Sequence, residues 1–299
     1  METIKPTSPG SVRRRAILFV LSASFVFSCT GALIKSVAGE IPTGEIVVCR
    51  SVIAGLLLMP LLQRRGGLGL LLRTRHPWGH VGRTVSGFLG MTTSYYGYGH
   101  LPLATNTALG FAMPLVLTIL SVPLLGERVG PRRIAGVLVG LAGVLIMVRP
   151  WNHSDGGLPL FPVSVVLFGV VMWAFSMIGI RRLGGSGEPN EVIVMWYSIG
   201  ASLMGLVIAV PVWVTPAWPE LLGLIGVGAL SAIAQMLMTE GYRTGEAALV
   251  SPFEYGAIIY TTIFGLVIWH EVPDLWNAVG ILVLVGSGLY VWSRETRTG

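Results

Sequence analysis

The sequence predicts an all-α integral membrane protein whose ten transmembrane helices form two inverted five-helix repeats. Three observations lead there. Hydrophobic residues make up 53% of the 299 residues, charged residues only 11%, and the mean hydropathy is +0.74, whereas about 25% of residues are charged in a soluble domain. Ten apolar stretches approach the length of about 17–25 residues that a helix needs to cross the hydrocarbon core. The chain also repeats itself at an offset of 144 residues. Backbone in lipid must satisfy its own hydrogen bonds, and the apolar stretches are continuous and not alternating, so helices are expected rather than a barrel.

The first span, 16–38, follows Arg13, Arg14 and Arg15. It exceeds the apolar region of a signal peptide, about 7–15 residues, and it resembles the sixth span, so it belongs to the repeat. The second, 45–62, opens on Glu45 and carries Cys49 and Arg50; the third, 78–98, ends in Tyr95, Tyr96 and Tyr98 after Thr92 and Thr93. Pro114 stands mid-way along the fourth, 104–125, and the fifth, 134–148, places Gly136, Gly140 and Gly143 at helical spacing for close packing. In the second half the sixth span, 160–180, carries Trp173 and Ser176, and the seventh, 192–214, carries Trp196 and Tyr197. The eighth is 221–241. The ninth, 247–269, contains Pro252 and Glu254, and the tenth, 275–292, contains Gly280, Gly286 and Gly288. Short connectors leave no room for a soluble domain, so the chain divides into a first repeat, 1–150, and an inverted second, 151–299.

Several residues mark the repeat. Glu127 stands nine residues ahead of Gly136, as Glu271 does ahead of Gly280; Gly97-Tyr98 matches Gly241-Tyr242, and Ala104 matches Ala248. Upstream, Glu45 pairs with Glu191 and Ile34-Lys35 with Ile180-Arg181, at an offset two residues longer. Five spans per copy put the second copy upside down. Inverted repeats are a transporter signature, because two mirror-related bundles can rock about a shared site.

Net charge is +6, but the basic residues cluster on alternate connectors, which speaks for orientation and not for nucleic acid. Arg64, Arg65, Arg73, Arg75 and Arg83 cluster around the connection of spans two and three, Arg128, Arg132 and Arg133 lie between four and five, and Arg181 and Arg182 after six. Lys35 and Arg149 lie at the other side with Glu40, Asp155, Glu220 and Asp274. By the positive-inside rule both termini are cytoplasmic, in a multi-pass protein of the bacterial inner membrane. Cys29 and Cys49 fall within spans and imply neither a disulfide nor a metal site.

An ionisable side chain within a span costs about 2.5 kcal/mol or more to insert, so it is expected to face a cavity or a partner. Glu254 is the first candidate to meet a substrate amine or a coupling proton, with Ser251 and Thr261 on nearly the same face at helical spacing. Arg50 suits a substrate carboxylate, or pairs with Glu45. Trp173, Ser176, Tyr95, Tyr96, Tyr255 and Tyr260 add rings and hydroxyls, and Asn106 and Gln235 add amides, which together suit a small zwitterion with an apolar side chain. Pro114 and Pro252 each remove a helical hydrogen bond, and interrupted helices at corresponding places in two halves point to a transporter's binding site and its gating. Glu127 and Glu271 read as turn and helix-start residues.

The expected partners are a small-molecule substrate and membrane lipids, with no cofactor, no metal and no catalytic residue; monomer and homodimer stay open. Gly184-Gly185-Ser186-Gly187 lacks the Gly-Lys-Ser/Thr ending of a phosphate loop, and His270-Glu271 is not followed by the second His of a zinc protease. An intramembrane enzyme is therefore the weaker alternative.

The chain resembles the ten-helix, EamA-type branch of the drug/metabolite transporter superfamily over 16–292. Glu45, Arg50, Ala104, Pro114, Glu127, Gly136 and Gly143 carry the likeness in the first half, and Glu191, Ala248, Glu271 and Gly280 in the second. It departs where Ile258 stands for Pro, Trp196 for Arg and Ser287 for Gly. The resemblance implies a secondary transporter of small polar metabolites, often an amino-acid exporter, with a cavity lined by helices one, three, four, six, eight and nine. Amino-acid export, aromatic residues included, is the favoured expectation. The same superfamily holds importers of S-adenosylmethionine and riboflavin, and Arg83 with Gly90-Met91-Thr92, Ser94 and Tyr96 is similar to the S-adenosylmethionine branch.

Overall fold

The computed structural model describes residues 9–65, 67–126, 130–149, 158–244 and 251–298, and among these every regular element is helical. They run α1 (Pro9–Val37), α2 (Thr43–Arg65), a 3-10 turn (Leu68–Arg73), α3 (Pro77–His100), α4 (Leu103–Gly110), α5 (Met113–Leu125) and α6 (Pro131–Val148). After the midpoint come α7 (Leu160–Gly185), α8 (Asn190–Ala209), α9 (Trp218–Thr244), a 3-10 turn (Ser251–Tyr255), α10 (Gly256–Trp269) and α11 (Leu275–Thr298). Glu127, Arg128, Asp155 and Ala248, used above for the repeat and the charge pattern, lie outside the described residues.

Six of the ten expected spans are long and apolar enough by themselves to cross a membrane: Arg14–Val37, Thr43–Arg64, Leu103–Leu124, Leu160–Gly185, Glu191–Val212 and Trp218–Met238. Three more apolar helices are shorter, Ile134–Val148, Phe253–Trp269 and Leu275–Tyr290. The remaining one, α3, has the length but not the apolarity. Its Gly, Ser, Thr and Tyr residues pack inside the bundle, where Ser86, Gly87, Gly90, Tyr95 and Gly97 are buried. Leu56, Leu138, Val207, Leu222, Val267 and Leu282, by contrast, each expose more than half of their surface, as expected where lipid is the solvent.

The fourth span is interrupted, and the ninth changes from a 3-10 turn to an α-helix at the matched place. Helix α4 ends at Gly110, Phe111 and Ala112 form the step, and α5 restarts with Pro114 in its first turn. The break thus precedes the proline, which sits where its missing N–H leaves no helical bond unmade. In the ninth span the 3-10 turn holding Pro252 ends at Tyr255, 144 residues after Phe111. The matched helices also end alike: Gly126 closes α5 at φ 68 and His270, again 144 residues on, closes α10 at φ 57. A left-handed backbone at a non-glycine residue is uncommon, and here it caps α10, with a backbone N–H bonded to the Gly265 carbonyl.

Helix α1 lies along α9 and α3 along α7; α2 packs on α8 and α9, and α3 also on α8; α5 packs on α7 and α10 on α1; α6 pairs with α11, and α4 with α10. Exchanging the halves maps these contacts onto one another. One apolar core, with Leu109, Leu115, Met147, Val166 and Leu284, joins α4 to α7 with α11; a second, with Ile34, Ile46, Phe88, Ala201 and Val227, joins α1, α2, α3, α8 and α9.

Connections meet at two ends. At the Arg-poor end, Lys35 in the last turn of α1 meets Leu101 after α3 and Glu271 before α11; Glu45 at the start of α2 accepts the Val214 N–H after α8 (2.7 Å); and Arg149 after α6 pairs with Asp274. At the Arg-rich end, Thr74 between α2 and α3 bonds Glu188 between α7 and α8, and Arg182 in α7 donates to the Leu124 carbonyl in α5.

Candidate functional site

Helix α3 can run inside the bundle because its glycines face neighbouring helices. A Cβ on Gly87 would lie 2.8 Å from Ser176 Oγ and 3.0 Å from the Tyr197 ring, and one on Gly90 3.1 Å from the Gly169 carbonyl oxygen. With α7 and α8 drawn in so closely, the longer side chains of α3 converge on α2, α8 and α9.

Arg50, on α2, donates from Nε to Ser231 Oγ (3.2 Å) and from Nη1 toward Met91 Sδ (2.6 Å). It also shares a hydrogen bond with the Tyr197 hydroxyl. That hydroxyl is 3.4 Å from both the Gly87 carbonyl oxygen and Met91 Sδ. The Arg83 guanidinium lies 3.9 Å over the Tyr197 ring, a cation–π contact that strengthens with desolvation. Tyr95, buried, hydrogen bonds Ser231 beside Arg50. Ser176 Oγ donates to the Arg83 carbonyl (3.2 Å) and ties α7 to the cluster. Arg50 is not paired with Glu45, whose Oε1 is taken by the Val214 N–H.

Of the residues expected at a site, Arg50, Tyr95 and Ser176 come together here. Tyr255 and Tyr260 do not. Tyr255 packs against Phe111 (centroids 4.9 Å apart), so the residues at the two helix breaks touch, and Tyr260 sets its edge to Phe25 of α1 (5.3 Å). Glu254 sits half-buried in the 3-10 turn next to Tyr255. Ser251 and Glu254 stand in the 3-10 turn and Thr261 in α10, where its hydroxyl bonds back to the Ala257 carbonyl (2.8 Å), so the three do not share one α-helical register.

Trp173 is not enclosed, since 38% of its surface is exposed. Tyr96 stacks on exposed His100 at 3.8 Å, near the Arg-poor end. Asn106 is buried and donates to the Ser94 carbonyl (3.1 Å), fixing the start of α4 to α3. Gln235 lies on an exposed face of α9. Arg83, Tyr197, Ser231 and Met91 were not among the expected site residues. Arg83 carried the one usable signal, a charge inside the third apolar stretch, and it reads there as part of the orientation pattern.

Glu271 does more than start a helix. Its Oε1 pairs with Lys35 Nζ (2.6 Å) and its Oε2 accepts the Leu103 N–H (2.9 Å), while Lys35 also donates to the Leu101 carbonyl (2.9 Å). At the same end Glu40, in the α1–α2 connector, has its carboxyl pushed up by a hydrogen bond with Glu220 and by that group's charge.

At the Arg-rich end, burial pushes Glu188 up, but the Thr74 hydroxyl (2.6 Å), then His80 and the Arg75 backbone, outweigh it and hold Glu188 below the ordinary carboxylate range. Folding therefore favours the ionised form. Its contribution is present above the ordinary Glu pKa of about 4.3 and fades as pH falls through the lowered value. Glu188→Gln is expected to lower stability at pH 7 by up to about 1 kcal/mol, with the gap from the parent closing at more acidic pH. Melting curves at both pH values check this, and an unchanged gap contradicts it.

Two stretches, residues 14–149 and 160–293, each match the EamA-like transporter family. The chain is 32% identical to the pseudopaline exporter of Pseudomonas aeruginosa over 91% of this chain and 94% of that one. It is 28% identical to a riboflavin transporter of Rhizobium johnstonii (99% and 98% covered) and 23% identical to an S-adenosylmethionine uptake transporter of Rickettsia prowazekii (94% and 94%). A solved crystal structure shares the fold, with a TM-score of 0.66 at 22% identity over 95% of this chain and 98% of that one. With the matches covering both halves of a helical, multi-pass membrane chain, the protein belongs to the EamA-like transporter family of the drug/metabolite transporter superfamily.

Proposed function

We propose that this protein is a secondary transporter that exports a small metabolite of the amino-acid type across a bacterial inner membrane, by alternating access of two inverted five-helix halves. The observation that carries this reading is that the step in the fourth span meets the matched change from 3-10 to α-helix in the ninth, Phe111 against Tyr255. Such breaks free backbone groups beside a central site. Inversion is supported by the ends that meet: α1 finishes at the Arg-poor end and its counterpart α7 at the Arg-rich end, and α2 starts where α8 finishes. The Arg-rich end is the cytoplasmic one by the positive-inside rule, and both termini belong to it. The halves divide near residue 150, between the two family matches. Export is favoured by the pseudopaline exporter, at 32% identity.

The riboflavin and S-adenosylmethionine relatives favour a second reading, uptake of a cofactor-type metabolite. Proteoliposomes with labelled amino acids, aromatic ones included, beside labelled riboflavin and S-adenosylmethionine, separate the two. Gradient-driven flux of an amino acid is the expected result, and flux of the cofactors alone sinks the first reading. Glu254→Gln is expected to uncouple flux from the gradient; a variant that couples normally removes Glu254 from the mechanism.

A further inference from the structure

We propose that Arg50 and Arg83 form an anion-binding site for a carboxylate of the transported molecule, so that the substrate carries more carboxylates than amines. The proposal rests on the transport reading above and narrows its substrate class.

The two guanidiniums come from helices that enter from opposite ends. Arg50 lies seven residues into α2, roughly 10 Å from the Arg-poor end, and Arg83 six residues into α3, roughly 9 Å from the Arg-rich end. Their long side chains approach each other across the middle of the bundle and meet at Tyr197, whose ring lies under Arg83 and whose hydroxyl bonds Arg50. They are near enough to repel each other.

Nothing among the described residues neutralises them. Glu271 is taken by Lys35, Glu188 by the Thr74 hydroxyl and Asp274 by Arg149, and Glu45, the carboxylate nearest to Arg50 in sequence, is turned to Val214. Arg50's acceptors are a serine hydroxyl, a tyrosine hydroxyl and a thioether, all neutral. On Arg83, Nε and Nη1 are buried with no hydrogen-bond partner at all. A guanidinium has five N–H donors in a planar fork that matches a carboxylate, and a buried donor left unmade is costly. Two such forks facing one space repel unless an anion stands between them, and a substrate ammonium there meets only further positive charge. The depth of the pair sets it apart from lipid headgroups, so the anion comes from a diffusing solute.

The test is ligand binding by the purified full-length protein in detergent, read as a thermal shift and by titration calorimetry. The probes are glutamate and citrate, their neutral counterparts glutamine and citramide, inorganic phosphate, and chloride. Glutamate or citrate is expected to raise the melting temperature, with the amides and chloride at least about tenfold weaker. Arg50→Gln and Arg83→Gln are each expected to lose about tenfold or more in affinity. Arg64→Gln, on the exposed end of α2, serves as the control and is expected to bind as the parent does. Should a Gln variant fail to fold, Arg→Lys at the same position keeps the charge, loses the fork and is expected to bind more weakly.

Equal shifts from glutamate and glutamine would overturn the excess of carboxylates over amines, and a response to phosphate or chloride alone, or unchanged affinity in Arg83→Gln, would overturn the site. Binding is read without flux, so an inactive liposome preparation that still binds glutamate or citrate counts against the transport reading alone. Flux of neutral amino acids with no carboxylate preference counts against this site alone.

Discussion

Glu271→Ala is expected to destabilise the folded protein by about 3 kcal/mol, the lower end for breaking a buried ion pair. One carboxylate joins three elements: it pairs with Lys35 at the end of α1, accepts the Leu103 N–H that opens α4, and precedes α11 in the chain. The Lys35 side chain is only 11% exposed, so its ammonium cannot turn to water when the partner goes. It keeps the Leu101 carbonyl and the Trp269 ring, 5.4 Å away. The lower end applies because Glu271 itself stays 24% exposed. Glu271→Gln, which retains an acceptor for Leu103, is expected to cost less. Replacing both partners, Lys35→Met with Glu271→Leu, is expected to recover most of the loss, since an uncompensated charge and not the missing pair is what costs. Denaturant or thermal melting of the parent, Lys35→Met, Glu271→Leu and the double variant in one detergent decides it. Additive single-variant losses would show that the two groups are not coupled.

Apolar runs located the membrane helices because burial in lipid leaves a continuous signature that needs no partner to be read. The third is an instructive exception. Helix α3 is polar along its length because it faces other helices, and only the packing of α7 and α8 onto Gly87 and Gly90 shows why. Pro114 and Pro252 announced the interruptions, but the breaks stand before α5 and α10, where a proline suits the new first turn or the 3-10 turn before it. At the candidate site the difficulty is one of range. Glu45 and Arg50, five residues apart on one helix, suggest a pair, yet each finds a partner more than 160 residues away, Val214 and Ser231. Arg83 looks like an orientation charge until Tyr197 is packed beneath it. Around Glu254 the helix type differs from the α-helix expected, because over five residues periodicity cannot distinguish a 3-10 turn from the first turn of an α-helix.

Gly280→Ala is expected to lower stability by about 2 kcal/mol or more, although alanine is the better helix former by about 1 kcal/mol. Helices α6 and α11 cross backbone to backbone. A Cβ on Gly280 would lie 2.7 Å from the Gly143 carbonyl oxygen and from the Met147 nitrogen, and a Cβ on Gly143 would lie 2.8 Å from the Leu284 nitrogen. These are main-chain atoms held in helical hydrogen bonds, so no rotamer change relieves the overlap and the helices must separate. Separation loses dispersion contacts along the crossing, and in a bilayer such packing, with no water to expel, is the main force between helices. The partner surface is the other half of the same chain, and the two glycines at the crossing, Gly143 and Gly280, come one from each half. Gly286, on the same helix, has no heavy atom within 4 Å of where its Cβ would stand. Gly286→Ala is therefore expected to be neutral or to stabilise by about 0.5–1 kcal/mol. The two alanine variants share a helix, a chemistry and a propensity gain, and differ only in what the new methyl group meets. Melting temperatures that move in the same direction for both would remove the close crossing of α6 and α11 as the cause.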